Sequence, residues 1–545
     1  MSPKAMKYSS QEQVMSKYFS LPNPSLRTYL KHVEDGQPEV YRTPFYGKET
    51  PVQTILADWD SKLNSIADQW PTLYQFEMDL RSKVGPMSIM KPLKDRMKDI
   101  DLYYSAISLP RKPLMPAAIR SVKDEWRVAS RMRIKDLDNT VAIMKKSTNS
   151  GSPFFDKRRL HVIDVKDSYV DMEPNGTTWI EFKSKQNLWE GTAVLGWRGQ
   201  EGGPKVSDVK QRVVWMMPFA VNAHELKVYQ PLITTAQQFN LVPAWVSMEM
   251  VDKSITKMFD TKAKNDLVVC TDFTAFDQHF NPALQDVAAE LIQFLFQHDP
   301  RILHWLDDIF PIKYTIPLCY AWGEIRKGAH GMASGSGGTN ADETLAHRAL
   351  QYEAALRAGA HLNPNSQCLG DDGVLTYPGI TVEDVTATYK SHGLEMNLTK
   401  QYASEHDCTY LRRWHHTKYR DSGVCVGVYS TMRALGRLCM QERYYDPEVW
   451  GAKMVALREL SIIENCKYHP LKEEFLDFCI KGDKYRLGID IPGFLDNIDS
   501  IAKEAIDQMP DFLGYTKSLQ ADGERDRVDT GLSSWWVVNA LKSRR

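Results

Sequence analysis

The sequence has no cysteine before Cys270, and none of its eight cysteines forms a CxxC pair. That usage excludes a disulfide framework and a zinc ribbon, and it fits a reducing compartment. Residues 1–25 hold no continuous apolar core, so no signal peptide is expected. No apolar run approaches the ~20 residues that cross a bilayer, and no membrane contact is expected. Excess charge of one sign is missing too, since 68 Lys and Arg stand against 69 Asp and Glu. The one long glycine-rich stretch lacks the Gly-Lys-Ser/Thr ending of a Walker loop.

What is present describes a folded chain. A hydrophobic content of 43% with 10% aromatics can bury a large interior, and 545 residues exceed one ordinary core, so two or three lobes are expected. Charge is uneven along the chain. Between Arg111 and Arg159 thirteen Lys and Arg face five Asp and Glu, a cluster suited to a polyanion or to a solvated surface.

Residues 1–95 carry amphipathic stretches at 55–66 and 73–80 and no evident chemistry. Residues 117–144 are helix-prone and basic, and run into Lys145-Lys146-Ser147-Thr148-Asn149-Ser150-Gly151-Ser152-Pro153. That stretch offers amides, hydroxyls and two lysines in one place, which suits phosphates and equally suits a surface loop. Further on, Arg198, Lys205, Lys210 and Arg212 precede the apolar run 213–217. Alternation puts Lys210 and Arg212 on one strand face, where they neutralise a triphosphate or guard a sheet edge.

Leu267-Val268-Val269-Cys270 predicts a strand buried on both faces, ending in Thr271-Asp272 with Asp277 five residues on. Carboxylates at the mouth of a buried strand are costly unless paired or metal-bound. Asn281-Pro282 announces a helix to about residue 296. The glycine-rich stretch from Gly331 to Asn340 opens a helix through about residue 357. Gly370-Asp371-Asp372-Gly373, between an apolar approach and a β-prone run, predicts a hairpin with two acids at its tip. Residues 409–414 and 424–429 are expected to pair around Asp421-Ser422-Gly423, and helices to fill 447–509.

In this order the strand with Asp272 and Asp277, the loop Ser334-Gly335-Ser336-Gly337-Gly338-Thr339 and the turn Gly370-Asp371-Asp372 resemble the palm motifs of viral RNA-dependent RNA polymerases. The wording is most similar to polymerases of bisegmented double-stranded RNA viruses, picobirnaviruses first and partitiviruses second. The resemblance implies an α+β right-hand polymerase with fingers, an antiparallel-sheet palm and an α-helical thumb, closed by an N-terminal extension. It divides the chain into an extension (1–95), fingers (96–230, 281–330), palm (231–280, 331–430), thumb (431–520) and tail (521–545).

The same resemblance implies roles. Asp272 and Asp371 are the principal ligands of two Mg²⁺ ions, replaceable by Mn²⁺, with Asp372 auxiliary. Asp277, Ser334 and Thr339 select the ribose together with Asn340, Asp342 or Glu343, because Glu343 stands where many relatives carry Asn. Lys205, Lys210, Arg212 and Arg198 hold the incoming triphosphate, and Lys400 protonates the leaving pyrophosphate. Thr148, Ser150, Gly151, Pro153, Gly335, Arg412 and Arg413 touch template or primer. RNA, NTPs and a capsid protein are the implied partners, in the virion interior and host cytoplasm.

Two rival readings differ in checkable ways. A reverse transcriptase shares the palm acids but typically has an aromatic gate where Asp277 stands. A non-catalytic RNA-binding or capsid-associated protein requires three ordered motifs by accident. The tail, with Trp535-Trp536, is expected to dock on the thumb, in the product channel or on a capsid protein.

Overall fold

A computed structural model describes residues 9–444, 447–508 and 531–545, with the side chains of 447–449 and 506–508 left aside. Its centre is a four-stranded antiparallel sheet in the order Gln367–Leu369, Asp372–Leu375, Val268–Thr271, Tyr402–Ser404. Val268–Thr271 is buried along its whole length, as its unbroken apolar sequence requires. Underneath lies the helix Thr339–Arg357, which is buried nearly all round. Such a helix is stable only if each polar side chain finds a partner. Arg348 donates to Glu125 and to the Ser366 carbonyl, and Gln351 donates to the Gln367 carbonyl.

A second sheet runs Lys210–Met216, Ala193–Gln200, Leu318–Ala321, Glu324–Arg326. Gly335 lets the glycine-rich loop lie against it, because a Cβ there would stand 1.8 Å from the Trp215 carbonyl oxygen.

Two large hydrophobic cores and a small third one match the expected lobes. The second core joins the N-terminal helices Val52–Leu63 and Pro71–Arg81 to the C-terminal helices. Trp59 Nε1 donates to Thr431 Oγ1 (2.8 Å), and Tyr41–Arg42 pairs with Met440–Gln441. The same N-terminal segment reaches the second sheet, where Gln211 donates to the Ile89 carbonyl and accepts from the Lys91 N–H.

At the other terminus, Val537, Val538 and Leu541 of the helix Trp536–Lys542 are buried in this second core. Its first amides donate to Glu464, from Trp536 (3.2 Å) and Val537 (2.9 Å). The tail thus packs on the C-terminal helices, while residues 521–530 lie outside the described residues. All eight cysteines are buried and free, and no described helix is long and apolar enough to cross a membrane.

Two local expectations are corrected. Residues 117–144 form two helices, Pro116–Trp126 and Leu137–Ala142. Asp299 takes the N–H of Ile134 and Arg301 its carbonyl, holding the chain extended until Asp136 caps the second helix. Residues 409–414 are not one strand: the chain reverses at Leu411-Arg412, pairing Asp407–Tyr410 with Arg413–His416. Both turn residues have positive φ (55° and 60°), the requirement of a type I′ hairpin, without the Gly, Asn or Asp that normally announces one. The expected partner strand shrinks to Val428–Tyr429, which pairs with Arg413 and Trp414.

Candidate active site

The site is built where the two central strands end side by side. Thr271 pairs with Gly373, so one further step of the register sets Asp272 opposite Asp372. Leu369 pairs with Asp372, leaving Gly370-Asp371 as a two-residue turn. Gly370 alone has positive φ (58°), which a type II′ turn demands at its first central position. The helix Thr339–Arg357 holds that turn from below. Gly370 donates its N–H to Thr344 Oγ1 (2.9 Å) and accepts from His347 Nδ1 (2.8 Å). Burial lowers the His347 pKa to about 4, so the ring is neutral at pH 7 and serves as a donor through Nδ1.

Asp272 is fixed through its backbone. The Gln401 side chain accepts from the Asp272 N–H (2.7 Å) and donates to its carbonyl (2.8 Å). Gln401 owes its place to Tyr402–Ser404, whose Tyr402 pairs with Cys270. Before Gln401 the chain makes a short helical turn, Leu398–Lys400, in which Lys400 is solvent-exposed and its charge reaches Lys210.

Charge is concentrated at this mouth. Burial first, then the charges of Asp277 and Asp272, push the Asp371 carboxyl above the usual range, while Arg212 pulls it down. Asp371 is nevertheless open to solvent, as is Asp272. Asp372 differs. It is less exposed and accepts a 2.8 Å hydrogen bond from the Leu411 N–H. Burial and then the charge of Asp371 raise it to about 7.

Asp277 lies against Glu343, its hydrogen-bond partner. Burial raises both carboxyls, and the neighbouring Asp277 charge adds to the rise of Glu343, well above normal. Of the three alternatives, Asp342 is removed. It is buried and accepts from Tyr229 (2.7 Å) and Tyr314 (2.7 Å) beside Lys313 (3.0 Å). Asn340 accepts from Trp245 Nε1 (2.8 Å), and its Nδ2 faces Gly370.

The loop residues act differently from expectation. The Thr339 hydroxyl lies 3.2 Å from the carbonyls of Ala333, Ser334 and Ser336, which makes it a brace of the loop and corrects its assignment to the ribose. The Ser334 hydroxyl is tied to the basic strand, accepting from Trp215 N–H and donating to Val213 O. Gly335 is the close-packing point against Trp215 already described.

The basic residues separate into two groups. Lys210 and Arg212 are exposed on one face of their strand, and Arg198 pairs across from Arg212. Lys210 feels Asp272, Arg412, Lys400 and Lys83, with burial as the main cause of its lowered pKa. Arg198 is ion-paired with Glu442 (2.8 Å), and Lys205 opens a short turn, its N–H bonded to Asp208. Arg412 is half-buried beside the turn. Arg413 is not available to RNA: it is buried and makes a two-pronged pair with Asp252 (2.8 and 3.0 Å). Ser150, Gly151 and Pro153 are buried as well, which corrects them as direct contacts. Gly151 has positive φ, and its Cβ would stand 2.6 Å from the Met217 carbonyl. Thr148 is half-buried.

Sequence reasoning missed Gln401, Thr344 and His347. The spacing 340, 343, 344, 347 on one helix face was a usable signal for the last two. Gln401 had none beyond its place next to Lys400.

Among the described residues no three His, Cys, Asp or Glu side chains form a closed metal cage. Asp272 and Asp371 nevertheless fit divalent ions that keep waters and take substrate oxygens, since both offer exposed hard-oxygen donors and repel each other without a cation.

The chain belongs to the viral RNA-dependent RNA polymerases, whose family model matches residues 135–425. It is accordingly a nucleotidyltransferase that copies RNA into RNA. A potential RNA-dependent RNA polymerase of human picobirnavirus is 65% identical over 533 residues, covering 98% of this chain and 99% of the relative. The crystal structure of a human picobirnavirus RNA-dependent RNA polymerase matches with a TM-score of 0.92 at 64% identity, covering 98% and 99% of the two chains. A deletion mutant of such an enzyme matches with a TM-score of 0.91 at 62% identity, over the same shares.

Proposed function

We propose that this chain replicates and transcribes the genome of a double-stranded RNA virus, joining NTPs to an RNA 3′-hydroxyl at the Asp272–Asp371 mouth. The observation that carries this reading is the register that brings Asp272 and the Gly370-Asp371 turn to the same end of the sheet. Asp272 and Asp371 would hold two Mg²⁺ ions, with Mn²⁺ as substitute. When bound, such ions lower the pKa of the 3′-hydroxyl and stabilise the charge on the leaving pyrophosphate. Asp372 supports Asp371 from the side, through the turn it anchors.

Lys210 and Arg212 receive the triphosphate, with Arg198 and Lys205 at the margin of that face. Lys400, solvent-exposed next to Gln401, donates the proton to pyrophosphate. Little covalent work falls to the protein in phosphoryl transfer, so positioning and charge dominate. Asp277, beside its hydrogen-bond partner Glu343, reads the ribose 2′-hydroxyl together with Asn340. The presence of Asp277, where an aromatic gate would exclude that hydroxyl, favours RNA over DNA precursors.

In the same reading, the sheet of Asp272 and Asp371 is the palm, the sheet of Lys210 and Arg212 belongs to the fingers and the C-terminal helices form the thumb. The N-terminal segment bridges the last two, supported by its bonds to Gln211 and Thr431. A capsid protein is the expected partner inside the particle. Extension of a primed RNA template with Mg²⁺, by the native protein and Asp371→Asn, tests the assignment. The native protein should extend and the variant should not; equal extension by both overturns it.

A further inference from the structure

The glycine-rich loop rests on one face of the helix Phe219–Gln238. A Cβ on Gly337 would stand 3.0 Å from the Leu226 side chain, and one on Gly338 would stand 2.3 Å from the Tyr229 ring. Glycine at both positions therefore lets the loop backbone touch the helix. Glu225, on the same face, is fully buried. Its carboxylate accepts from the Ser336 hydroxyl and from the Gly337 N–H (3.2 Å). The Ser336 oxygen in turn accepts from the Gly338 N–H (3.0 Å). With its amide oriented to satisfy both neighbours, Asn222 donates to Glu225 (2.9 Å) and accepts from Arg158 (2.9 Å).

A buried carboxylate is costly, so what it does that an amide cannot is informative. Two acceptor oxygens take three donors at once, two of them from the loop, whereas an amide offers a single acceptor oxygen. The loop then leads without a break into the helix Thr339–Arg357. Gly338 is the N-cap of that helix, and its first two turns carry Asn340 and Glu343. Whatever fixes Ser336 and Gly337 therefore fixes the start of the helix on which the ribose-reading residues stand.

We propose that Glu225 is a positioning residue for nucleotide selection, setting through Ser336 and Gly337 where Asn340 and Glu343 stand against the ribose. It acts through the loop and not on the substrate. The inference rests on the polymerase reading above, which it deepens.

Full-length native protein, Glu225→Ala, Glu225→Gln and Ser336→Ala are compared on a primed RNA template with NTPs and with dNTPs. Glu225→Ala should raise the KM of the incoming NTP about tenfold and narrow the preference for NTPs over dNTPs by a similar factor, with kcat changed less than about threefold. Ser336→Ala removes one of the three donors and should move both quantities in the same direction; it carries the test if Glu225→Ala does not fold. Glu225→Gln keeps an oxygen for the Gly337 N–H and resembles the protonated carboxyl.

The groups facing Glu225 are Lys313 and Asp342, with Tyr229 on its own helix and Arg158 behind Asn222. Burial raises Glu225 to about 7. Native protein and Glu225→Gln should therefore share one KM near about pH 6 and diverge by about pH 8, where the ionised native binds the NTP more tightly. A folded Glu225→Ala or a Ser336→Ala with native KM and preference, or with a lowered kcat alone, overturns the proposal. So does a ratio of native to Glu225→Gln KM that stays constant over that pH range. A native protein inactive on the primed template contradicts the polymerase reading instead.

Discussion

The carboxylate of Asp372 accepts a 2.8 Å hydrogen bond from the N–H of Leu411, so the second acid of the Asp371-Asp372 pair faces a backbone turn. Asp371 lies in the two-residue turn while Asp372 opens the strand Asp372–Leu375, which gives the two acids different partners although they are neighbours in sequence. Asp371 meets solvent and the charges of Asp277 and Asp272; Asp372 holds in place the strained turn that carries Arg412. Asp372→Asn keeps an oxygen acceptor for Leu411 and should retain at least about tenfold more extension activity than Asp371→Asn. Asp372→Ala leaves a backbone donor unpaired and should lower stability by about 1–3 kcal/mol, read from urea midpoints.

Gln401 is a positioning residue. Its amide holds both backbone groups of Asp272, so Gln401→Ala should lower kcat by about 10–100-fold, the range seen when groups that orient ligands are removed. Gln401→Glu can still accept from the Asp272 N–H but cannot donate to its carbonyl, and should fall between native and Ala. If Gln401→Ala changes only the melting temperature, the clamp is structural alone.

Ribose discrimination should reside in the Asp277–Glu343 pair. Asp277→Ala should reduce the preference for NTPs over dNTPs by at least about tenfold, measured as the ratio of kcat/KM values, because a site that binds a hydroxyl rejects its absence. Glu343→Gln retains a donor to Asp277 and should preserve most of the preference. A loss as large as that of Asp277→Ala would show that Glu343 does more than orient Asp277.

Much of this was legible in the sequence, for physical reasons that differ by element. The unbroken apolar run at 267–270 could only be a strand buried on both faces, and Gly370 announced the turn that its positive φ fulfils. The roles of Asp272 and Asp371 came from the resemblance that these elements carry. The reversal at Leu411-Arg412 was hidden because tertiary contacts, from Asp372 above all, impose a conformation that no local residue prefers. The burial of Arg413 was hidden for a related reason: its partner Asp252 lies 161 residues away. Asp342 and Glu343 are neighbours on one helix, and only packing decides that one meets Lys313 and the other Asp277.

Stability should depend on pH through Glu225, behind the glycine loop. Burial raises its pKa from 4.5 to about 7, while Lys313, Ser336 and the Gly337 N–H pull it down and Asp342 adds to the rise. Between those two values the folded chain keeps a proton that the unfolded chain has released, so this group makes stability fall as pH rises from about 4.5 to 7. Above that window its contribution is flat. Glu225→Gln should flatten the decline in urea midpoints between pH 5 and pH 8; an unchanged slope would show that Glu225 is ionised throughout.

We propose that Asp272 and Asp371 jointly hold divalent metal while Asp372 serves the turn. Binding of Mn²⁺, followed by electron paramagnetic resonance in the presence of a non-hydrolysable NTP, tests that division most directly. Asp272→Asn and Asp371→Asn should each lose most of the bound Mn²⁺, and Asp372→Asn should keep most of it. Native-like binding by Asp371→Asn, or a loss in Asp372→Asn as complete as in Asp371→Asn, would contradict it.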